Sequence, residues 1–312
     1  MTGRALITGA AGFVGTRLAD YLRGRGWDVV CSGHPAREGM IPCDFRDADS
    51  VAALLRDAGA VTHVFHLAAI AFVPDAEADP LLAMDVNLNG TIRLSEAMRE
   101  ACPDARLVFI GSADAYGPPQ SIPVTEEHPL NPVNTYAISK AAADHYCGRL
   151  GRVKALDCVR LRPFNHTGPG QNESYVLSSF ARQIAAIEAG LHAPVVRVGN
   201  LEAARDFLHV DDVLRAYELA ALHGRAGAAY NICSGVSVPI QSALDQLVAM
   251  STVDVSVEQD PARMRPSDVP EIRGCHDRFT EATGWQPEIP FESLLEGLLG
   301  YWRAQLAGAP AP

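Results

Sequence analysis

The chain has 312 residues, enough for one continuous α/β unit or two domains, and its 48% hydrophobic and 20% charged content is a globular balance that excludes wholesale disorder. It carries 26 basic and 37 acidic residues for a net charge of −11, with Lys140 and Lys154 its only lysines and no basic run, which excludes nucleic acid as the main partner. Cys31, Cys43, Cys102, Cys147, Cys158, Cys233 and Cys275 form no CxxC pair, so free thiols in a reducing cytoplasm are expected rather than disulfides or zinc, and no apolar run reaches the roughly 18 residues of a membrane helix.

Ala5–Thr8 reads as a short buried strand and not a secretion signal, because it runs straight into glycines. Gly9, Gly12 and Gly15 follow in a GxxGxxG spacing, and Phe13–Arg25 has helical character. Gly9 suits a tight turn, Gly12 a close approach of backbone to a pyrophosphate, and Gly15 close helix–strand packing. The helix start then offers free N–H groups to phosphate. With Phe13 and Val14 between them, these glycines are the candidate cofactor loop. Asp28–Cys31 is the second strand. It leads into Ser32-Gly33-His34, not into the carboxylate that binds a ribose 2′-hydroxyl. Its absence removes repulsion against a 2′-phosphate, and His34 and Arg37 supply attraction, so NADP(H) is favoured over NAD(H). Arg37 as a solvated loop charge is the alternative. Asp44, followed by Phe45, is either an acceptor for an adenine amino group or only a cap.

Val51–Ala58 reads as a helix, Val61–Ala68 as the third strand, Leu81–Ala101 as a helix and Arg106–Ser112 as the fourth strand. Tyr136–Leu150 is a helix and Ala155–Leu161 the fifth strand. This alternation predicts a doubly wound parallel sheet of Rossmann type. Tyr136 and Lys140, four residues apart, share a helix face, where an ammonium is expected to lower the phenol pKa. Ser112 falls at the carboxyl end of the fourth strand, where open α/β sheets gather ligands, and could polarise a carbonyl there.

Farther on, Tyr175–Gly190, Val210–Leu222, Ile240–Met250 and Phe291–Ala307 read as helices, and Val195–Val198 and Ala228–Cys233 as strands. Proline and glycine gather at 163–170 and 261–274, read as ligand-facing loops. The expected division is a nucleotide-binding domain over 1–165, with 201–235 returning to it, and a smaller lobe over 166–200 and 236–312. His63 and His66 point to opposite strand faces and no HExxH occurs, so no metal site is expected. Glu126 and Glu127 read as solvated loop charges, with a contact to a bound ligand as the alternative.

These residues resemble the extended short-chain dehydrogenase/reductases of the nucleotide-sugar epimerase/dehydratase class. Matching segments are Gly9–Gly15, His66-Leu67-Ala68-Ala69, Asp85–Thr91, Ser112–Gly117 and Tyr136–Lys140. The resemblance implies Ser112, Tyr136 and Lys140 as the catalytic set, with Asn87 supporting a proton relay. It adds Leu67, Ala68, Ala69, Asn87, Tyr136, Lys140 and Pro163 to the cofactor contacts. Arg162–Gln171, Gly199–Asp212 and Arg263–Pro270 resemble the GDP-mannose branch, which holds both reductases and 4,6-dehydratases. That implies substrate contacts at Ser112, Asp114, Asn165, Arg205, Arg265 and Asp268, the arginines clamping a pyrophosphate. Arg205 paired with Asp206 or Asp211 is the bland alternative.

Dehydratases of that branch carry a Thr-x-Glu where this chain has Ser112-Ala113-Asp114. Asp114 is still a carboxylate and so a candidate catalytic residue, but it is one methylene shorter, which favours NAD(P)H-dependent reduction of the C4 keto group of a 4-keto-6-deoxy sugar nucleotide. A 4,6-dehydratase or 4-epimerase that recycles tightly bound NAD is the alternative, and a non-catalytic nucleotide-binding relative a distant one. The resemblance also implies a homodimer through a four-helix bundle of the helices near 88–101 and 136–150, with Ile92, Leu94, Ala97, Met98, Ala141, Ala142 and Ala143 as its apolar positions; packing of these residues on the sheet is the alternative.

Overall fold

A computed structural model describes residues 3–264 and 269–307. Strand β1 (Arg4–Thr8) alternates its side chains between two cores: Ala5 and Ile7 enter one, Leu6 the other. Helix α1 (Phe13–Gly24) lays Leu18, Ala19 and Leu22 against the first core. There follow β2 (Asp28–Gly33), the short β3 (Ile41–Pro42), α2 (Ala48–Ala58), β4 (His63–His66), α3 (Val73–Ala78), α4 (Pro80–Met84), α5 (Gly90–Ala101), β5 (Arg106–Ile110), α6 (Thr135–Arg152) and β6 (Cys158–Pro163). The chain continues through β7 (Asn165–Thr167), α7 (Val176–Glu188), β8 (Val195–Val198), β9 (Ala204–His209), α8 (Val210–His223) and β10 (Ala229–Ile232). It ends in β11 (Ser237–Pro239), α9 (Ile240–Ala249), β12 (Ser256–Gln259), β13 (Glu271–Ile272), α10 (Asp277–Thr283) and α11 (Phe291–Leu306).

Seven strands form one parallel sheet in the order β10-β6-β5-β4-β1-β2-β3. The order reverses between β1 and β4, and the crevice outside their carboxyl ends is where such a sheet takes a dinucleotide. Helices α1 and α8 cover one face, with Trp27, Tyr217 and Trp285 filling the space beneath them. Helices α2, α5 and α6 cover the other through Leu54, Leu94, Met98, Ala143 and Cys147. This is the Rossmann-type architecture expected from the alternating pattern.

A smaller sheet is built around β9, which pairs with β7, β11 and β13, while β8 pairs with β12. Helices α7, α9 and α11 enclose its core of Phe180, Ile184, Leu244 and Leu298. Of the stretch 201–235, β9 lies in this smaller sheet, whereas α8 and β10 complete the large one. Strand pairing is non-local, so the local pattern at 204–209 does not reveal which sheet receives it.

The helix expected over Leu81–Ala101 is interrupted. Between α4 and α5 the turn Asp85–Asn89 widens to a π-helix and swings Asn87 inward, 1% exposed. Leu94, Met98, Ala141 and Ala143 point into the protein and cannot form a dimer face. Ile92, Ala97 and Ala142 are only half-buried, and Ile138 beside them is 41% exposed.

Candidate active site

The glycine loop is shaped by what a side chain would strike. A Cβ on Gly9, at φ +67°, would lie 2.7 Å from the Ala68 nitrogen, and one on Gly15 would lie 2.3 Å from the Gly9 carbonyl oxygen. Neither position has room for alanine, so β1, α1 and the end of β4 meet backbone to backbone. Gly12 caps α1 without a side-chain hydrogen bond, and no acidic residue occupies the first turn. The helix therefore presents unmet N–H groups and the positive end of its dipole, which fits a pyrophosphate. Leu67, Ala68 and Ala69 line the neighbouring turn half-buried, where the Ala68 N–H donates to Thr8 Oγ1 at 3.2 Å.

His34 and Arg37 both lie exposed on the loop after β2. Asp44 is not a helix cap; Asp47 caps α2. The Asp44 carboxylate instead takes Arg46, whose Nη2 donates at 2.6 Å and whose backbone N–H donates at 2.9 Å. These bonds hold the carboxyl down to about 2. Arg46 was missed in the sequence, although its place two residues after Asp44 in a turn suits such a contact. Phe45 is buried, with its ring 5.2 Å from that of His66, and its carbonyl accepts from Arg93 Nη1 at 3.0 Å, so its side chain is part of the core.

Three elements converge on the carboxyl end of β5. Ser112 caps a 3₁₀ turn, Ala113–Tyr116, its Oγ accepting from the Asp114 N–H at 3.1 Å. Tyr136 lies in the first turn of α6, whose start is fixed by Asn134, a side-chain cap accepting from the Ala137 N–H at 2.8 Å. Lys140 is one turn farther and 4% exposed, its ammonium 4.9 Å from the centre of the Phe109 ring. Asn87 holds this helix to the turn beyond β4: Nδ2 donates to Ser139 Oγ at 2.9 Å and to the Ile70 carbonyl at 3.1 Å, while Oδ1 accepts from the Ile70 N–H.

The titration states differ from expectation at one point. The Tyr136 phenol is pushed up, not down. Burial is the main cause and the nearby Asp114 carboxylate adds to it, against a hydrogen bond from Ser112. Lys140 does not offset this, and its own burial lowers it to about 8. The site thus holds a protonated phenol. Asp114 opens to solvent, yet the protein around it raises its carboxyl, and Arg205 opposes that rise.

Arg205 on β9 is half-buried and donates to the Ala204 carbonyl at 2.8 Å. The Asp206 carboxylate is occupied elsewhere, by the N–H groups of Ser234, Gly235 and Gly274. Asp211 stands 3.7 Å from Arg17. Asn165 is exposed on β7, just beyond the buried Pro163. Arg265 and Asp268 lie outside the described residues. Glu126 is not solvated: its carboxylate is 3% exposed and accepts from the Asn231 N–H at 2.7 Å. Glu127 is exposed and paired with Arg278. Tyr175, also missed, sits edge-on to Phe72 and interacts electrostatically with Tyr136.

The model of the NAD dependent epimerase/dehydratase family matches residues 5–233. The chain is 38% identical over 311 residues to GDP-6-deoxy-D-mannose reductase of Pseudomonas aeruginosa, covering 98% of this chain and 99% of that one. It superposes on the structure of RMD from Pseudomonas aeruginosa complexed with NADPH at a TM-score of 0.89 and 37% identity, covering 97% of this chain and 100% of the other. The UDP-glucose 4-epimerase of Thermus thermophilus in complex with NAD is similar at a TM-score of 0.84 and 30% identity, covering 98% of this chain and 100% of the other.

Proposed function

The chain belongs to the NAD dependent epimerase/dehydratase family, and on that premise we propose that it is an NADPH-dependent reductase of a GDP-linked 4-keto-6-deoxy sugar. One observation carries this reading above its alternatives: the near-full-length 38% identity to GDP-6-deoxy-D-mannose reductase. The state of Tyr136 agrees with it. Reduction needs a proton donor beside the forming alkoxide, and the phenol is kept protonated by burial and by Asp114. A reaction that begins by oxidising the sugar needs the phenolate.

NADPH, when bound, supplies the hydride to C4. Gly9, Gly12 and Gly15 leave the space for its pyrophosphate, and the α1 N–H groups bind it. His34 and Arg37 flank the place of the adenosine ribose and favour a 2′-phosphate. Ser112 donates a hydrogen bond to the C4 oxygen, and Tyr136 gives that oxygen its proton. Lys140 holds the nicotinamide ribose, while Asn87 keeps the helix carrying both residues in register. Asp114 orients the sugar. Arg205, with Asn165 and Arg265, holds the diphosphate of the substrate, and Asp268 is a further substrate contact.

A second reading, a 4-epimerase with recycled NAD, is favoured by the likeness to the Thermus thermophilus enzyme. The outward Ile92, Ile138 and Ala142 support pairing of two copies through α5 and α6. Among the described residues no helix is long and apolar enough to cross a membrane, and the free cysteines support a cytoplasmic setting.

The test mixes cofactor-free protein with NADPH and GDP-4-keto-6-deoxy-mannose made in place by a separate dehydratase. Stoichiometric loss of reduced-nicotinamide absorbance with a 4-hydroxy product by NMR is expected. Tyr136→Phe should lower kcat about 10²- to 10⁴-fold. A keto sugar arising from GDP-mannose alone, without NADPH loss, would move the protein to the dehydratases.

A further inference from the structure

Arg17 has no part in the chemistry above, yet its guanidinium is where three functional segments meet. It lies on α1 just beyond the glycine loop, 5.6 Å from the centre of the Phe13 ring within that loop. Its Nη2 donates to the carbonyl of Pro169, and a Cβ on the neighbouring Gly170 would stand 3.6 Å from the same nitrogen. Its Nη1 is 3.7 Å from Asp211 in the first turn of α8, directly after the strand that carries Arg205.

The segment it grips is internally stiff. The Thr167 hydroxyl donates to Gln171 Oε1, Gln171 Nε2 donates to the His166 carbonyl at 3.0 Å, and the Gln171 carbonyl accepts from Ser178 at 2.7 Å. Gly168 is packed so closely on the start of α8 that a Cβ there would lie 2.7 Å from Val210. A shift at Pro169 is therefore carried along the segment to Asn165 and against the end of β9. A guanidinium fork on a carbonyl, a carboxylate and a ring face is directional, so it transmits the position of the helix start rather than charge alone.

We propose that Arg17 is a positioning residue that couples occupancy of the cofactor loop to the arrangement of residues 165–171. This rests on the functional reading for the identity of both ligands. Phosphates seated on α1 settle Gly12–Gly15. Arg17 passes that settling to the substrate segment, so cofactor-loaded protein takes the sugar nucleotide more tightly. By linkage, the sugar nucleotide tightens the cofactor by the same factor.

The deciding experiment is amide hydrogen exchange over residues 165–171 with and without saturating NADPH, on wild type and Arg17→Met. In the wild type NADPH slows exchange there by about five-fold or more, within the usual range of coupling. In Arg17→Met the slowing falls below about two-fold, while NADPH affinity stays within about three-fold of wild type, which a merely structural loss would not leave intact. Arg17→Lys, with charge but no fork, restores part of the slowing. Equal slowing in wild type and Arg17→Met overturns the proposal, as does its absence from the wild type. A calorimetric arm measures GDP binding with and without NADPH. If wild type ignores GDP while the exchange result holds, the reading of a GDP-linked substrate fails and the coupling stands.

Discussion

Asp144 and Arg162 meet in a two-pronged ion pair closed to solvent: Arg162 Nε donates to Oδ2 at 3.0 Å and Nη2 to Oδ1 at 2.8 Å. Arg160 adds a third bond at 2.6 Å. The remaining Arg162 Nη1 donates to the Tyr116 hydroxyl at 2.8 Å, and that hydroxyl donates to Asn231 at 2.7 Å. Asp144 lies one turn beyond Lys140 on α6, and Tyr116 closes the turn that opens at Ser112. The pair thus ties the helix bearing Tyr136 to the turn bearing Ser112 and Asp114.

Asp144→Asn leaves two buried guanidinium groups facing a neutral amide. Removing one partner of a buried pair costs about 3–5 kcal/mol, more than keeping it ever contributes, because the surviving charge is desolvated without compensation. Urea unfolding should show a loss of that size. A loss below about 1 kcal/mol would mean that water reaches the arginines once the carboxylate is gone.

Lys140 is expected to set an alkaline limit on activity. Burial holds it near 8 in the folded chain, against about 10.4 when unfolded. Between these values the unfolded chain holds a proton that the folded one has released, so stability rises with pH across the window as the buried charge is discharged. Activity moves the other way. Tyr136 is held well above this range, so the ammonium is the first of the two to titrate. The kcat/KM profile should fall on a limb centred near 8. A profile flat to about pH 9.5 would show that Lys140 stays charged, or that its charge is not needed.

The parts legible in the sequence are those whose partners are close in sequence or whose spacing is itself geometric. The glycine turn joins consecutive elements, and Tyr136 and Lys140 lie one helical turn apart. What stayed hidden depends on distant partners or on environment. Glu126 reads as a loop charge until β10 arrives to place the Asn231 N–H against it. Strand β9 reads as part of the first domain until β11 and β13 pair with it. The spacing of Tyr136 and Lys140 suggests a lowered phenol, but burial and Asp114 decide the sign, and neither is visible along one helix. The inward swing of Asn87 needs a π turn, a local widening that the single helix read over 81–101 does not include.

Cofactor choice should rest on the exposed pair after β2. Arg37→Ala removes a cation from a loop that no acidic strand end opposes, so kcat/KM for NADPH falls about ten-fold while that for NADH changes less than about two-fold. The ratio of the two is the measurement. Should it not move, the 2′-phosphate is held elsewhere, and Arg46 beside Asp44 is the next cation to replace.

Asp114 decides between reduction and dehydration. Its carboxyl interacts electrostatically with both Tyr136 and Arg205. As a group that only orients the sugar, it is replaceable by an amide of the same shape, and Asp114→Asn should keep at least about a tenth of the reductase kcat. As the acid/base of water elimination it would be irreplaceable, at about 10²- to 10⁴-fold. The substitution also removes a negative charge that raises the phenol, so Tyr136 should titrate lower in the variant. Ultraviolet titration of the phenol in wild type, Asp114→Asn and Tyr136→Phe reads that shift directly. A modest fall in kcat together with a lowered phenol fits a reductase in which Asp114 keeps the donor protonated. A collapse of turnover with the phenol unmoved would place Asp114 in the proton transfer itself.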